Sequence, residues 1–142
     1  VKRVKRGVKR GVNTMLKVGI LRNSPLSPKT HWFLYVLHDK WATFFVRAHG
    51  HSMDGAGIHE GDLLVVDRSI TPANGSIVVA VIDGGLTVKR LTKKGSHVSL
   101  LPEPSNANHG TYAPIEIGPD ADARIWGVVT WSIHRLQLQC MP

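Results

Sequence analysis

The chain holds a single cysteine, Cys140, among its 142 residues. An internal disulfide is excluded, and a reducing, cytoplasmic setting is expected. Long apolar runs are missing too. The longest, IVVAVI at 77–82, falls far short of the roughly 18 residues of a membrane span and reads as a buried strand. The first residues lack the apolar block of a secretory signal, so no membrane association is expected. Acids are scarce: 10 Asp and Glu stand against 18 Lys and Arg, a net charge of +8. That scarcity is local. Residues 1–14 hold Lys2, Arg3, Lys5, Arg6, Lys9 and Arg10 and no acid. Removing these six leaves +2 for residues 15–142, so the basicity belongs to a tail. Helical periodicity is the last absence. No segment after residue 42 carries a long 3.6-residue period, which leaves a helix-turn-helix no place in the body.

What is present fits one domain, with 42% hydrophobic residues, enough to close one core. The tail repeats VKR, VKRG, VKRG, placing Val1, Val4, Val8 and Val12 at helical spacing. Gly7 and Gly11 oppose a helix, each by about 1 kcal/mol relative to alanine. A solvated arm is expected, and direct nucleic-acid contact would fall to this tail alone. Met15 is an alternative starting residue. Residues 19–31 carry Ser24-Pro25 and Ser27-Pro28 and read as a linker. Residues 32–38 (WFLYVLH) suit a strand or a short helix.

From Ala42 the chain reads as short strands between turn signals. Candidates are 42–48, 63–66, 77–82, 86–91, 98–101 and 125–131, with Asp83-Gly84-Gly85 as a hairpin signal. The expected fold is mostly β, a folded sheet or partial barrel, with a flexible arm at 1–41 and one domain at 42–142.

Ser52 stands in HGHSMDG (49–55), between Gly50 and Gly55. Glycines there permit a sharp turn, and the neighbouring N–H groups, around Gly50 and Met53, are oxyanion-hole candidates. A serine in such a turn is more often only a turn residue. Its hydroxyl becomes a nucleophile when a base takes its proton. His49 and His51 are adjacent, but no acid is obviously placed to orient either ring. Together with His59 they lack a close cysteine and regular ligand spacing, so no metal site or cofactor is expected. Lys89, in LTVKRL (86–91), is the other candidate base. On alternation Thr87, Lys89 and Leu91 share one face, and Leu86, Val88 and Arg90 share the other. A lysine facing an apolar interior loses hydration, and its pKa falls. The plain alternative is a solvated strand lysine, as expected for Arg90, Lys93 and Lys94. Spacing alone does not choose Lys89.

Taken together, the GHSM turn, GDLLVVD (61–67) and SIVVAVIDGGLTVKRL (76–91) resemble the LexA/UmuD (S24) family of self-cleaving serine–lysine peptidases. LLPEPSNANHGTYAPIEI (100–117) and RIWGVVTWSIH (124–134) look like family segments as well, so the resemblance covers about residues 42–135. It implies Ser52 as nucleophile and Lys89 as general base. The nearest branch is UmuD-type, the accessory subunit of a translesion DNA polymerase. Only about 41 residues precede the match, fewer than the DNA-binding domain of LexA-type repressors requires. The resemblance further implies a homodimer that cuts its own arm on a RecA-type recombinase filament on single-stranded DNA. The trimmed form would then join a UmuC-type polymerase subunit.

The arm departs from the family pattern. The family cuts after Cys or Ala followed by Gly, and residues 1–45 hold neither pair. Ala56-Gly57 lies in the nucleophile turn itself. Val18-Gly19 is the best-placed candidate cleavage site. Two other readings stand beside the peptidase: a non-cleaving dimeric interaction module of the same fold, and the peptidase domain of a phage-type repressor.

Overall fold

The computed structural model describes residues 42–106, 112–119 and 121–136. The arm, Val18-Gly19, the 32–38 segment and Cys140 lie outside the described residues.

Among the described residues, seven antiparallel strands form one sheet in the order β1-β2-β7-β3-β4-β5-β6. They are β1 Thr43–Arg47, β2 Leu63–Asp67, β3 Ile77–Ile82, β4 Gly85–Lys94, β5 His97–Leu101, β6 Ile115–Ile117 and β7 Ala123–Ile133. Six grow from the β-branched runs that the sequence predicts. The seventh, β6, was not expected. Its three residues pair with Val98–Leu100 of β5, and an isolated IEI carries too little pattern to declare itself.

The β3–β4 hairpin turns on Asp83 and Gly84, both at positive φ (47° and 76°). Two such central residues give the turn whose twist matches paired strands, and the Asp-Gly signal asks for it. β3 is apolar throughout because both its faces are covered. Val79 joins one core cluster with Val46, Leu64, Val66 and Val88. Its neighbours Val78 and Ala80 join the other, with Leu91, Leu100 and Val128. Successive strand residues point to opposite faces, so one strand feeds two cores.

β7 bulges against β2 at Val65/Val66 and against β3 at Val79/Ala80. Such bulges bend a strand. Gly127 lies between them, where a Cβ would stand 2.7 Å from Val66 Cγ1. No side chain fits there without displacing β2.

β4 meets β3 along residues 85–90 but meets β5 only from Arg90 onward. Among the described residues, 85–89 have no strand partner on the β5 side. The long loop between β1 and β2 reaches β4 here, and it carries Ser52.

Candidate functional site

The β1–β2 loop is built to hold a turn rigidly. Met53 is 3% exposed and packs with Ala48, Ile58 and Val88, so it anchors the turn to the core. Its carbonyl accepts from the N–H groups of Ala56 and Ile58 around a short 3-10 turn, Asp54–Ala56. Gly50 and Gly57 flank the turn at φ 84° and 79°, conformations that other residues adopt at a cost.

A strap from beyond β5 closes over the other side. The Glu103 N–H donates to the Ser52 carbonyl at 2.8 Å, and the Gly55 N–H donates to the Glu103 carbonyl at 2.7 Å. A Cβ on Gly55 would lie 2.9 Å from the Pro104 carbonyl oxygen, which explains the glycine. The Glu103 carboxylate accepts two hydrogen bonds from Arg90, Nε to Oε1 at 2.5 Å and Nη2 to Oε2 at 2.8 Å. Glu103 thus ties the Ser52 turn to the residue beside Lys89. Sequence reading had Arg90 as solvated. It is half-buried, because an acid 13 residues ahead folds back onto it, and the spacing carries no signal of that.

Lys89 and Ser52, 37 residues apart, are brought together. Lys89 Nζ lies 2.9 Å from Ser52 Oγ. It also lies 3.0 Å from Thr87 Oγ1 and 2.8 Å from the Val88 carbonyl oxygen. Lys89 is 7% exposed, and no carboxylate is among these partners. Burial pulls its pKa down from 10.5 to about 8. A charged amine in so dry a place loses its hydration without a counter-charge, so the neutral form gains. That form has two N–H groups and one lone pair. The Val88 carbonyl and the Thr87 hydroxyl can take the two N–H groups, which turns the lone pair toward the Ser52 O–H. Thr87 shares the face predicted for Lys89, but sequence reading gave it no role.

The histidines beside Ser52 face acids instead. His49 Nδ1 is 2.9 Å from Glu60 Oε1, and His51 Nδ1 is 3.0 Å from Asp54 Oδ2. Both acids were overlooked in sequence, one eleven residues away and one in the same turn. Glu60 also accepts from the Gly50 N–H. That bond, more than the imidazole, holds the Glu60 carboxyl below its ordinary pKa against the opposing effect of burial. The Gly50 N–H is therefore occupied. A small cleft beside Ser52 is lined by Ala48, Gly50, Met53, Ile58, Thr87 and Val88, together with His49.

Comparison with known proteins adds three findings. A family model described as Peptidase S24-like matches residues 8–130. Protein SamA of Salmonella typhimurium is 46% identical over 101 residues, 71% of this chain and 66% of SamA. Protein MucA of Escherichia coli is 44% identical over 100 residues, 70% of this chain and 64% of MucA. The LexA repressor of Bordetella avium is 41% identical over 91 residues, 64% of this chain and 40% of the repressor. The chain spans just under two thirds of the length of SamA and MucA.

Proposed function

This chain belongs to the Peptidase S24-like family, on its UmuD-like side, and from that premise we propose that it is a self-cleaving serine endopeptidase with a Ser52–Lys89 dyad. One observation carries the reading: a buried amine without a carboxylate partner, 2.9 Å from the serine hydroxyl. In the reaction the neutral Lys89 Nζ takes the Ser52 proton as Oγ attacks the scissile carbonyl. The Met53 and Ser52 N–H groups are assigned to the developing oxyanion, since the Gly50 N–H is held by Glu60. The Lys89 ammonium then protonates the leaving amine. Water attacks the acyl-enzyme, and Lys89 accepts its proton as the Ser52 hydroxyl reforms.

The substrate in this reading is the chain's own arm, cut between Val18 and Gly19. The cleft beside Ser52, walled by Ala48, Met53, Ile58 and Val88, suits a small apolar side chain. An extended segment could add to the unpaired edge of β4 at 85–89 by strand augmentation. A RecA-type filament on single-stranded DNA would favour the arm-in-site conformation and supply no chemical group. The product is a homodimer that joins a UmuC-type translesion polymerase in the cytoplasm. Trp131, Ile133 and Leu136 are 45%, 42% and 91% exposed, an apolar surface suited to a protein partner. No helix among the described residues is long and apolar enough to cross a membrane.

The test is incubation of the purified chain with recombinase, single-stranded DNA and a nucleotide analogue, with the products weighed by mass spectrometry. A fragment starting at Gly19, absent with Ser52→Ala, is the expected result. An intact chain under all conditions would leave the non-cleaving interaction module as the better account.

A further inference from the structure

His59, Asp62 and His134 meet where the β1–β2 loop runs into β2 and where β7 ends. We propose that these three side chains bind a divalent transition-metal cation of the zinc class, clasping the loop to the end of β7.

Each residue offers one ligand atom, and the three atoms lie within 4.8 Å of one another. Asp62 Oδ1 is 2.5 Å from His134 Nδ1, and Asp62 Oδ2 is 3.8 Å from His59 Nδ1. The carboxylate is already fixed. Asp62 is 1% exposed, and its Oδ2 accepts from the His59 backbone N–H at 2.9 Å and the Ser132 hydroxyl at 3.0 Å. Outer hydrogen bonds of this kind orient a metal-binding carboxylate. The imidazoles are free to adjust, since both are about half exposed. Their ring centres lie 5.3 Å apart, tilted by 58°.

Zinc bonds of about 2.0–2.1 Å in a tetrahedron require donor separations of about 3.3 Å. The set is within a small ring rotation of that spacing, with the buried carboxylate left in place. Water completes the coordination. Two imidazoles and one carboxylate suit zinc-class ions, whereas calcium and magnesium take oxygen ligands. Binding requires neutral imidazoles, so it displaces the proton shared between His134 and Asp62. In sequence the signal was only His59-x-x-Asp62. The third ligand is 72 residues beyond Asp62, joined to it by the pairing of β2 with β7.

The experiment titrates the full-length, tag-free chain with Zn2+ by calorimetry, in a Cys140→Ser background that removes the thiol. Co2+ absorption reports the geometry, and melting curves with and without Zn2+ report the clasp. One Zn2+ per chain is expected. His59→Gln and His134→Gln should each weaken binding at least about tenfold, while His97→Gln leaves it unchanged. Zn2+ should raise the melting temperature of the parent chain and not of either variant. These substitutions are at exposed rings, and melting without metal checks that the variants fold. No saturable binding by the parent, or undiminished binding by both variants, overturns the proposal and leaves the trio a hydrogen-bonded tie.

Discussion

Replacing Lys89 with methionine isolates what the buried amine does to the fold. Methionine keeps the length and apolar stem and removes the titrating group. In the folded chain the Lys89 pKa falls from 10.5 to about 8, through loss of hydration. The direction fixes the sign. Between these values the unfolded chain holds the proton and the folded chain does not, so stability rises with pH. Below about pH 8 both states are protonated, and the folded state carries the full penalty of a dry charge. At about 1.4 kcal/mol per pKa unit, the drop corresponds to about 3 kcal/mol. Methionine forfeits the contacts with Thr87 and Val88, about 1 kcal/mol each. The net gain of Lys89→Met at pH 7 is therefore about 1 kcal/mol, while cleavage is abolished. The pH dependence is the cleaner signature. The stability difference between Lys89→Met and the parent should move by about 3 kcal/mol toward the parent between pH 7 and pH 10.5. Urea unfolding at a series of pH values measures it, and other titrating groups cancel in the difference. A difference that stays flat over that range would refute the reasoning, because it would mean the amine is as hydrated folded as unfolded.

Other substitutions probe the supports of the site. Glu103→Ala removes the fork to Arg90. Both side chains are about one-third exposed, so stability should fall by only about 1 kcal/mol. Self-cleavage should slow by about tenfold or more as the Ser52 turn loses its fixed position relative to Lys89, a split read by denaturation beside a cleavage time course. Gly55→Ala forces a methyl against the carbonyls of Glu103 and Pro104 and should cost about 1–3 kcal/mol by urea unfolding; an unchanged midpoint would contradict the close approach. Val18→Ala puts a smaller side chain at the proposed cleavage site and should accelerate cutting there; mass spectrometry that finds the new N-terminus elsewhere discards the assignment.

The sequence disclosed the strands well wherever β-branched runs lie between glycine turns, as in β2, β3 and the Asp83-Gly84 hairpin. It disclosed less where pairing alone makes the strand. Lys93 and Lys94 extend β4 because Val98 and His97 pair with them, although nothing in their chemistry favours a strand. Likewise Ser132 and Ile133 extend β7 by pairing with Leu64 and Leu63. Within the site, alternation put Thr87 and Lys89 on one face, and their side chains do meet. Periodicity alone left Lys89 no different from its solvated neighbours, and only the family resemblance paired it with Ser52. The burial arises from the loop and strap laid against the free edge of β4. Partners distant in sequence were invisible for the same reason: Glu103 to Arg90, Glu60 to His49, and His134 to Asp62 are made by sheet order. The Asp54 contact to His51 is local and was legible in principle, since the two stand three residues apart in a tight turn.

The most direct test of the central claim is the rate of recombinase-independent self-cleavage as a function of pH. If the neutral Lys89 amine removes the Ser52 proton, the rate should climb about tenfold per unit from pH 7, bend near pH 8 and level off above it. Ser52→Ala should show no cleavage at any pH. A rate that does not change with pH, or one that keeps rising until the ordinary lysine value of 10.5, would contradict a desolvated lysine as the base.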